Sequence, residues 1–144
     1  MQQPKETIRI GQLELRFLLD GEDTNNGVVM FEFIIPPGAK VPVPHYHKEV
    51  DEVIYGLEGI TTTTLNGETV EISAGERLFI PRGAVHHHDN RQEQPAKSLI
   101  VMTPATIGPA YFREMSELIK PGVPPDPKKA AGIMQRYGLI PVAH

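Results

Sequence analysis

The segment from Gly38 to Gly59 places the strongest constraint on the fold, because it combines closely spaced prolines with a His-x-His pair. The prolines within residues 37–44 exclude a helix and a regular central strand, since proline has no backbone N–H to donate. His45 and His47 therefore lie on an edge or irregular strand. Side chains two residues apart on an extended strand share one face, so both imidazoles can meet one metal ion.

Two further residues can complete such a site. Glu52 follows the histidine pair after a short turn and can return a carboxylate to the same ion. His86, in the later segment from Gly75 to Asn90, is the natural fourth ligand. The chain has no cysteine, so imidazole and carboxylate are the only strong metal ligands that it offers.

The first hundred residues favour a series of short strands. Apolar residues alternate with polar ones on both sides of Gly11, where the phase shifts, and this predicts a turn or bulge there. The nearly continuous apolar run from Val28 to Ile35 predicts a strand covered on both faces. Many short strands with turn signals between them indicate a sandwich or barrel.

A hairpin is predicted at Asn66-Gly67, which is the strongest short turn signal between two β-prone runs. This turn pairs Thr63 with Val70 and places both on one face. The residues predicted to face inward on this and the following strand are Thr61, Thr63, Leu65, Val70, Ile72, Leu78 and Ile80.

The pattern changes after residue 105. Apolar residues recur at helical spacing over 111–120 and again over 128–137, with Asp126 as a good N-cap and Pro127 as a good first helical residue. We predict a β-barrel over residues 1–105. The helical extension over 106–144 packs on it as a lid or brace within a single domain.

Two spaced sets of residues resemble the two signature motifs of the cupins. The first set is Gly38, His45, His47, Glu52 and Gly59, and the second is Gly75, Pro81, Gly83, His86 and Asn90. The second set matches every fixed position, whereas the first has one extra residue between Gly38 and His45. That insertion precedes the ligands, so it affects the loop and leaves the ligand set intact. The chain resembles small single-domain cupins of the quercetinase type.

The resemblance implies an all-β fold, a double-stranded β-helix or jelly roll, followed here by the two C-terminal helices. It implies that His45, His47, Glu52 and His86 bind one divalent transition metal ion inside the barrel. Three imidazoles and one carboxylate suit iron, manganese, nickel, copper or zinc. Two structural alternatives stay open: the metal has been lost, as in some cupins, or these histidines only cap a loop.

Other residues near the motifs leave alternatives open. Glu49 and Asp51 flank Glu52, and either could supply the carboxylate, although only Glu52 has the six-residue spacing to Gly59. His88 shares the inward face with His86, at a position where cupins commonly carry an aromatic or apolar side chain. We predict a catalytic role for His88, as a general acid or base or as a hydrogen-bond donor to a bound anion. The alternative is a buried histidine with a backbone or threonine partner.

The resemblance permits several reactions, because dioxygenases, decarboxylases, isomerases and lyases share this fold and ligand set. We favour an oxidoreductase of dioxygenase type acting on a small aromatic or enolic compound, since the predicted inward residues are mostly apolar. A sugar phosphate would call for inward Arg or Lys. Two alternatives stay open: a protein that binds a small ligand without transforming it, and a metal-dependent lyase or isomerase.

Net charge and hydropathy limit the classes of partner that we expect. The net charge is −4 and no basic run occurs, so we expect no nucleic-acid partner. No segment approaches membrane-spanning length and the N-terminus lacks the apolar core of a signal peptide, so we expect a cytoplasmic protein with no membrane partner. The cupin resemblance implies a homodimer, and the apolar face on the strands from Ile8 to Leu19 predicts that these edges pair in it.

Overall fold

The computed structural model describes residues 3–41 and 43–142. Pro42, one of the prolines that predicted an irregular strand, lies outside the described residues. Two ten-residue helices follow the main body of strands, α1 (Pro109–Leu118) and α2 (Pro127–Arg136). The strands are β1 (Glu6–Ile10), β2 (Leu13–Leu19), β3 (Val29–Ile35), β4 (His45–His47), β5 (Asp51–Glu58), β6 (Thr61–Leu65), β7 (Glu68–Ile72), β8 (Arg77–Ile80), β9 (His86–Asp89), β10 (Ala96–Thr103) and β11 (Leu139–Pro141).

The strands form two antiparallel sheets that face each other. The larger sheet has the order β1-β2-β3-β10-β5-β8, and the smaller has the order β11-β4-β9-β6-β7. Sequence neighbours such as β3 and β4 lie in different sheets, so the chain crosses between layers as it does in a jelly roll. The predicted all-β jelly roll with two C-terminal helices is confirmed.

The two local turns predicted from the sequence are present. Thr63 pairs with Val70 across the β6–β7 hairpin, in the predicted register. Asn66 and Gly67 at its tip have φ values of 49° and 86°, the positive values that a tight two-residue hairpin turn requires. Gly11, with φ 58°, makes the turn between the paired strands β1 and β2.

Strand β3 corrects one expectation, because it is not covered on both faces. Phe31 and Phe33 point into the core, whereas the side chains between them, including Glu32, are only half-buried. The apolar run 28–35 therefore supplies one core face and one outer face that is partly covered. The nearly continuous apolar run of eight residues, interrupted only by Glu32, did not distinguish these two environments.

The short strand β11 was not predicted. It pairs with β4, with Leu139 opposite His47 and Pro141 opposite His45. β11 covers the edge of the strand that carries the two histidines, and so it adds a C-terminal piece to the barrel sheet itself. The boundary at residue 105 between barrel and extension stays a prediction.

Both helices begin and end close to their predicted positions. The side chain of Asp126 accepts hydrogen bonds from the backbone N–H groups of Lys128 and Lys129, and Pro127 is the first helical residue. Helix α1 packs its Phe112 ring against Phe17 and Phe31, with centroids 5.7 and 5.5 Å apart. Within the described ranges, no helix has the length and apolar character needed to cross a membrane.

Candidate metal centre

Both sheets contribute to the candidate site. His45 and His47 lie on β4, and His86 lies on the adjacent strand β9, directly opposite His45 in the register. Glu52 comes from β5 in the facing sheet. The alternation of β4 turns both of its imidazoles to the barrel interior, as the His-x-His spacing predicted.

The four side chains meet in a buried cluster. One nitrogen from each of the three histidines lies within 4.8 Å of the others. Glu52 Oε1 is 3.5 Å from His86 Nε2 and 3.9 Å from His47 Nε2. The exposed fraction of Glu52, His47 and His86 is 2–3%, so these polar groups are withdrawn from water and require partners.

The hydrogen bonds behind the imidazoles suit metal binding. His45 Nδ1 lies 2.9 Å from the Val43 carbonyl, and His86 Nδ1 lies 2.9 Å from the Ala84 carbonyl. A carbonyl can only accept, so each Nδ1 carries a proton when the imidazole is neutral, and the Nε2 lone pair faces the cluster. His47 Nδ1 is buried and has no hydrogen-bond partner among the described residues. The donor set therefore fits a divalent transition metal, which Nε2 of all three histidines and Glu52 could hold.

Burial and charge set the protonation of these groups. Burial, together with the neighbouring imidazoles, lowers the pKa of His45 to about 3. Burial also lowers the pKa of His47 to about 4, although Glu52 opposes the shift. For His86, contact with Glu52 outweighs burial and raises the pKa. Burial opposes ionisation of Glu52, but hydrogen bonds and charge from His86 and His88 prevail and hold its pKa well below its usual value. His45 and His47 are thus neutral ligands at pH 7.

His88 is hydrogen-bonded at both ring nitrogens. Its Nε2 lies 2.9 Å from Glu52 Oε2, and its Nδ1 lies 2.8 Å from the hydroxyl of Thr63. The threonine partner expected for a purely buried histidine is therefore present. The contact with Glu52 places the same side chain directly behind a candidate metal ligand.

Thr63 is the residue of the site that sequence reasoning missed. It was predicted to face inward, but its partner was not, because β6 pairs with β9 over a separation of 25 residues. The register places Thr63 directly opposite His88. The sequence did contain one indication of this contact: Thr63 and His88 were both predicted to face the inside of the same barrel.

The alternative carboxylates lie elsewhere. Glu49 is exposed. Asp51 accepts hydrogen bonds from the backbone and guanidinium of Arg82, at 2.9–3.2 Å. Strand alternation sends Asp51 and Glu52 to opposite faces of β5, so only Glu52 reaches the histidines.

A cavity of about 80 Å³ lies directly on the cluster. His45, His47, Glu52, His86 and His88 line it on one side, and its other walls are apolar side chains from β1, β2, β3, β10 and α1. The predicted lining was wrong in position. The predicted residues are buried or half-buried against the core, but none of them borders this cavity. β7 and β8 each lie at the outer edge of a sheet, and β9 separates β6 from the histidine strand β4.

The sequence was compared with known families once this geometry was established. Residues 31–102 match the Cupin domain family. This segment is half of the chain and contains the four clustered side chains together with His88. The chain belongs to the cupin family. The double-sheet barrel with its ligand set on facing strands is the cupin architecture that the motifs predicted.

Three known proteins illustrate what the chain is similar to. The chain is 35% identical over 75 residues to the tetracenomycin polyketide synthase protein TcmJ of Streptomyces glaucescens, covering 52% of this chain and 50% of that protein. It is 29% identical over 82 residues to quercetin 2,3-dioxygenase of Bacillus subtilis, covering 57% of this chain and 23% of that enzyme. The crystal structure of the polyketide cyclase RemF from Streptomyces resistomycificus superposes with a TM-score of 0.58 and 30% identity, over 72% of this cupin and 70% of that chain. The match to TcmJ thus spans half of that relative's length.

Proposed function

We propose that this cupin is a metal-dependent oxidoreductase of dioxygenase type that acts on a small aromatic or enolic compound. The observation that carries the proposal is the apolar cavity that ends on the His45, His47, Glu52 and His86 cluster. The reacting end of a substrate placed there would be held by apolar contacts and would meet polar groups on one side only. That arrangement favours an apolar molecule with an oxygen-bearing end.

The charge of the cavity lining supports this substrate class. Among the described residues that border the cavity there is no lysine or arginine, and Glu52 is the only carboxylate. Phosphate recognition relies on arginine or lysine side chains. A phosphorylated sugar would therefore lose its hydration here without gaining a cationic partner.

A metal held by the four ligands would supply Lewis acidity and redox chemistry toward dioxygen. The protein's own residues perform the remaining tasks. The apolar walls exclude water from the reacting end of the substrate. His45 and His47 are neutral at pH 7, so Glu52 would be the only one of the four ligands that carries a negative charge. Glu52 is also the only carboxylate among the described residues that border the cavity, and its Oε1 is not bonded to His88, so that oxygen could accept a substrate proton.

His88 has its proposed role through Glu52. A carboxylate accepts hydrogen bonds, so His88 Nε2 donates to Glu52 Oε2, and in the neutral imidazole Nδ1 accepts from the Thr63 hydroxyl. This chain holds the carboxylate in one orientation and can stabilise its negative charge. We therefore propose that His88 assists proton transfer as a positioning residue of Glu52.

A second candidate is a cyclisation without oxygen uptake on a polyketide-like substrate. It is favoured by the similarity to TcmJ and to the polyketide cyclase RemF, at 35% and 30% identity. An enolic polyketide has the same apolar body and oxygen-bearing end, so the cavity suits both candidates. Consumption of dioxygen separates them.

The test is turnover by the iron-, manganese- and nickel-loaded protein against flavonols, catechols, diketones and small carboxylic acids. Metal-dependent loss of substrate with equimolar oxygen uptake would support the dioxygenase. Metal-dependent turnover without oxygen uptake would move the function to a cyclase, lyase or isomerase. Tight binding of one compound with no turnover would establish a ligand-binding cupin instead.

A further inference from the structure

A second cavity adjoins the first on the side of the C-terminal helices. We call it the vestibule; its volume is about 350 Å³, and it lies between α1, α2 and the segment around Val41 and Val43. Val41, His45, Tyr111, Met115 and Ile119 border both cavities. The two cavities are therefore neighbours, with His45 and side chains of helix α1 between them.

The exposure of the ligands shows from which side the cluster can be reached. Glu52, His47 and His86 are no more than 3% exposed, whereas His45 is half-buried. His45 is also the only one of the four that borders the vestibule. A ligand that reached the candidate metal centre from the vestibule would therefore pass His45.

The two cavities differ in volume, and therefore in the size of the group that each can hold. An apolar cavity of about 150 Å³ admits benzene, so the inner space of about 80 Å³ accepts the reacting end of a substrate but no aromatic ring. The vestibule is large enough for one or two rings. Its described lining consists of apolar side chains apart from His45 and Tyr111.

Tyr111 has an uncommitted hydroxyl in this apolar surround. The residue is 5% exposed, and its ring packs edge-on against Phe112 and Tyr137. No described residue forms a hydrogen bond with its hydroxyl, in contrast to Tyr137, whose hydroxyl donates to Glu114 at 2.6 Å. Burial raises the pKa of Tyr111, so the hydroxyl stays protonated and can donate a hydrogen bond.

We propose that the vestibule binds the aromatic body of the substrate and that the Tyr111 hydroxyl donates a hydrogen bond to an oxygen on that body. The inference rests on the proposed function, because it places the enolic end of the same molecule at the metal centre. It names the substrate class more closely, as an elongated aryl compound that carries an enolic end and a second oxygen function. Tyr111 lies outside the family-matched segment 31–102, so this specificity belongs to the helical extension.

The first test measures ligand binding to the cobalt(II)-loaded full chain through its visible absorption spectrum. Three probes are used: acetylacetone, benzoylacetone, which carries a single phenyl ring at one end of the diketone, and benzoylacetone with a para-hydroxyl group on that ring. Ala131→Trp fills the vestibule, because Ala131 borders it and does not border the inner cavity. We expect this variant to bind both aryl diketones at least 10-fold more weakly, with cobalt content and acetylacetone binding unchanged. Ala110→Trp, at an exposed position of α1, is the matched control.

The second test concerns the hydroxyl. The wild-type protein should prefer the hydroxylated diketone over benzoylacetone by about 3- to 10-fold, the usual net effect of one hydrogen bond. Tyr111→Phe should abolish that preference and leave the binding of benzoylacetone unchanged. An unaltered preference in Tyr111→Phe would overturn the role of Tyr111.

The outcomes distinguish this inference from the proposed function. If acetylacetone binds and Ala131→Trp leaves aryl binding unaffected, the vestibule is not the substrate site, while an enolic substrate at the metal remains supported. If none of the three diketones perturbs the cobalt spectrum of the wild-type protein, the enolic substrate class is wrong, and both inferences fall.

Discussion

His88 forms a hydrogen bond with only one of the two oxygens of the Glu52 carboxylate. His88 Nε2 lies 2.9 Å from Glu52 Oε2, whereas Oε1 of the same carboxylate faces His86 and His47 at 3.5 and 3.9 Å. One oxygen is thus held by the protein and the other is directed to the candidate metal position. Partners behind a ligating group orient it, and their loss commonly lowers metal affinity 10- to 100-fold.

The first prediction concerns the ligand set. The purified protein should carry about one equivalent of a divalent transition metal, and His86→Ala or His47→Ala should lose most of it, because a remaining three-ligand site binds far more weakly. Elemental analysis of the folded variants measures this. His87→Ala is the control, since His87 lies on the opposite face of β9. Full metal content in a folded His86→Ala protein would refute the assignment.

The second prediction concerns the hydrogen bonds behind Glu52. Thr63→Val keeps the side-chain shape but removes the hydroxyl bonded to His88, so metal affinity should fall by roughly 10-fold. Thr64→Val, one residue along β6 and on its other face, should bind metal normally. Competition with a chromogenic chelator gives both affinities.

The same chain of bonds predicts a kinetic effect at His88. His88→Ala should retain metal when metal is in excess, and lower turnover by roughly 10²–10⁴ if proton transfer depends on the orientation of Glu52. Wild-type kinetics in this variant would reduce His88 to a packing residue.

Local patterns were sufficient to predict the parts of the site that depend on neighbouring residues. The His45-x-His47 spacing fixed a shared face, and Asn66-Gly67 fixed a hairpin register that the structure reproduces. Glu52 was indicated by its place after the histidine pair, and the six-residue spacing to Gly59 in the cupin motif distinguished it from Glu49 and Asp51. The structure brings all four predicted ligands together.

Long-range pairing explains what was missed. Thr63 meets His88 only through the β6–β9 register, and β11 pairs with β4 across more than ninety residues. The cavity lining depends on which strands flank the ligands, and hairpin alternation alone does not contain that information. The partly covered outer face of β3 has the same origin, since burial of Glu32 depends on what packs over the sheet.

A further prediction is pH dependence of the metal-free protein. The pKa values of His45 and His47, about 3 and about 4, lie below the unfolded value of about 6.5. As the pH falls below 6.5, these two histidines become protonated in the unfolded chain but stay neutral in the folded state. The free energy of unfolding must therefore fall. The loss is about 1.4 kcal/mol per pH unit for each such group. His86 does not oppose it, since a raised pKa contributes its full stabilisation below 6.5.

Chemical denaturation of chelator-treated protein at pH 7, 6, 5 and 4.5 measures this slope. His45→Gln removes one of the two groups, so it should reduce the slope by roughly half. The lowered pKa of Glu52 adds to the loss only below about 4.5. A stability that is flat between pH 6.5 and 4.5 would show that these imidazoles are not desolvated as described.

The predicted homodimer remains to be tested. β1 is one edge of the larger sheet, but α1 already contacts it, with the Ser116 hydroxyl donating to the Arg9 carbonyl at 2.6 Å. The opposite edge strand β8 carries Phe79, which is 56% exposed. We expect a dimer by light scattering at micromolar concentration. Phe79→Glu would dissociate it if β8 is the contact, and a β1 contact would leave that variant dimeric. A wild-type monomer would exclude both.

The last prediction compares two glycines of the cupin motifs. Gly59 and Gly83 both have positive φ, 65° and 86°, so an alanine at either position is strained by about 1–2 kcal/mol. They differ in space: a Cβ at Gly59 would lie 2.3 Å from the Pro95 carbonyl oxygen, whereas nothing lies within 4 Å of a Cβ at Gly83.

Gly59→Ala should therefore reduce the free energy of unfolding by about 3–5 kcal/mol, because the backbone at the start of β10 has to move in addition to the strain at φ. Gly83→Ala should cost only the conformational strain. Urea denaturation of both chelator-treated variants at pH 7 gives the two values without a contribution from bound metal. If both variants lose the same free energy of unfolding, the backbone near Gly59 can move to accommodate a Cβ without further loss of stability. In that case only the positive φ at this position requires glycine.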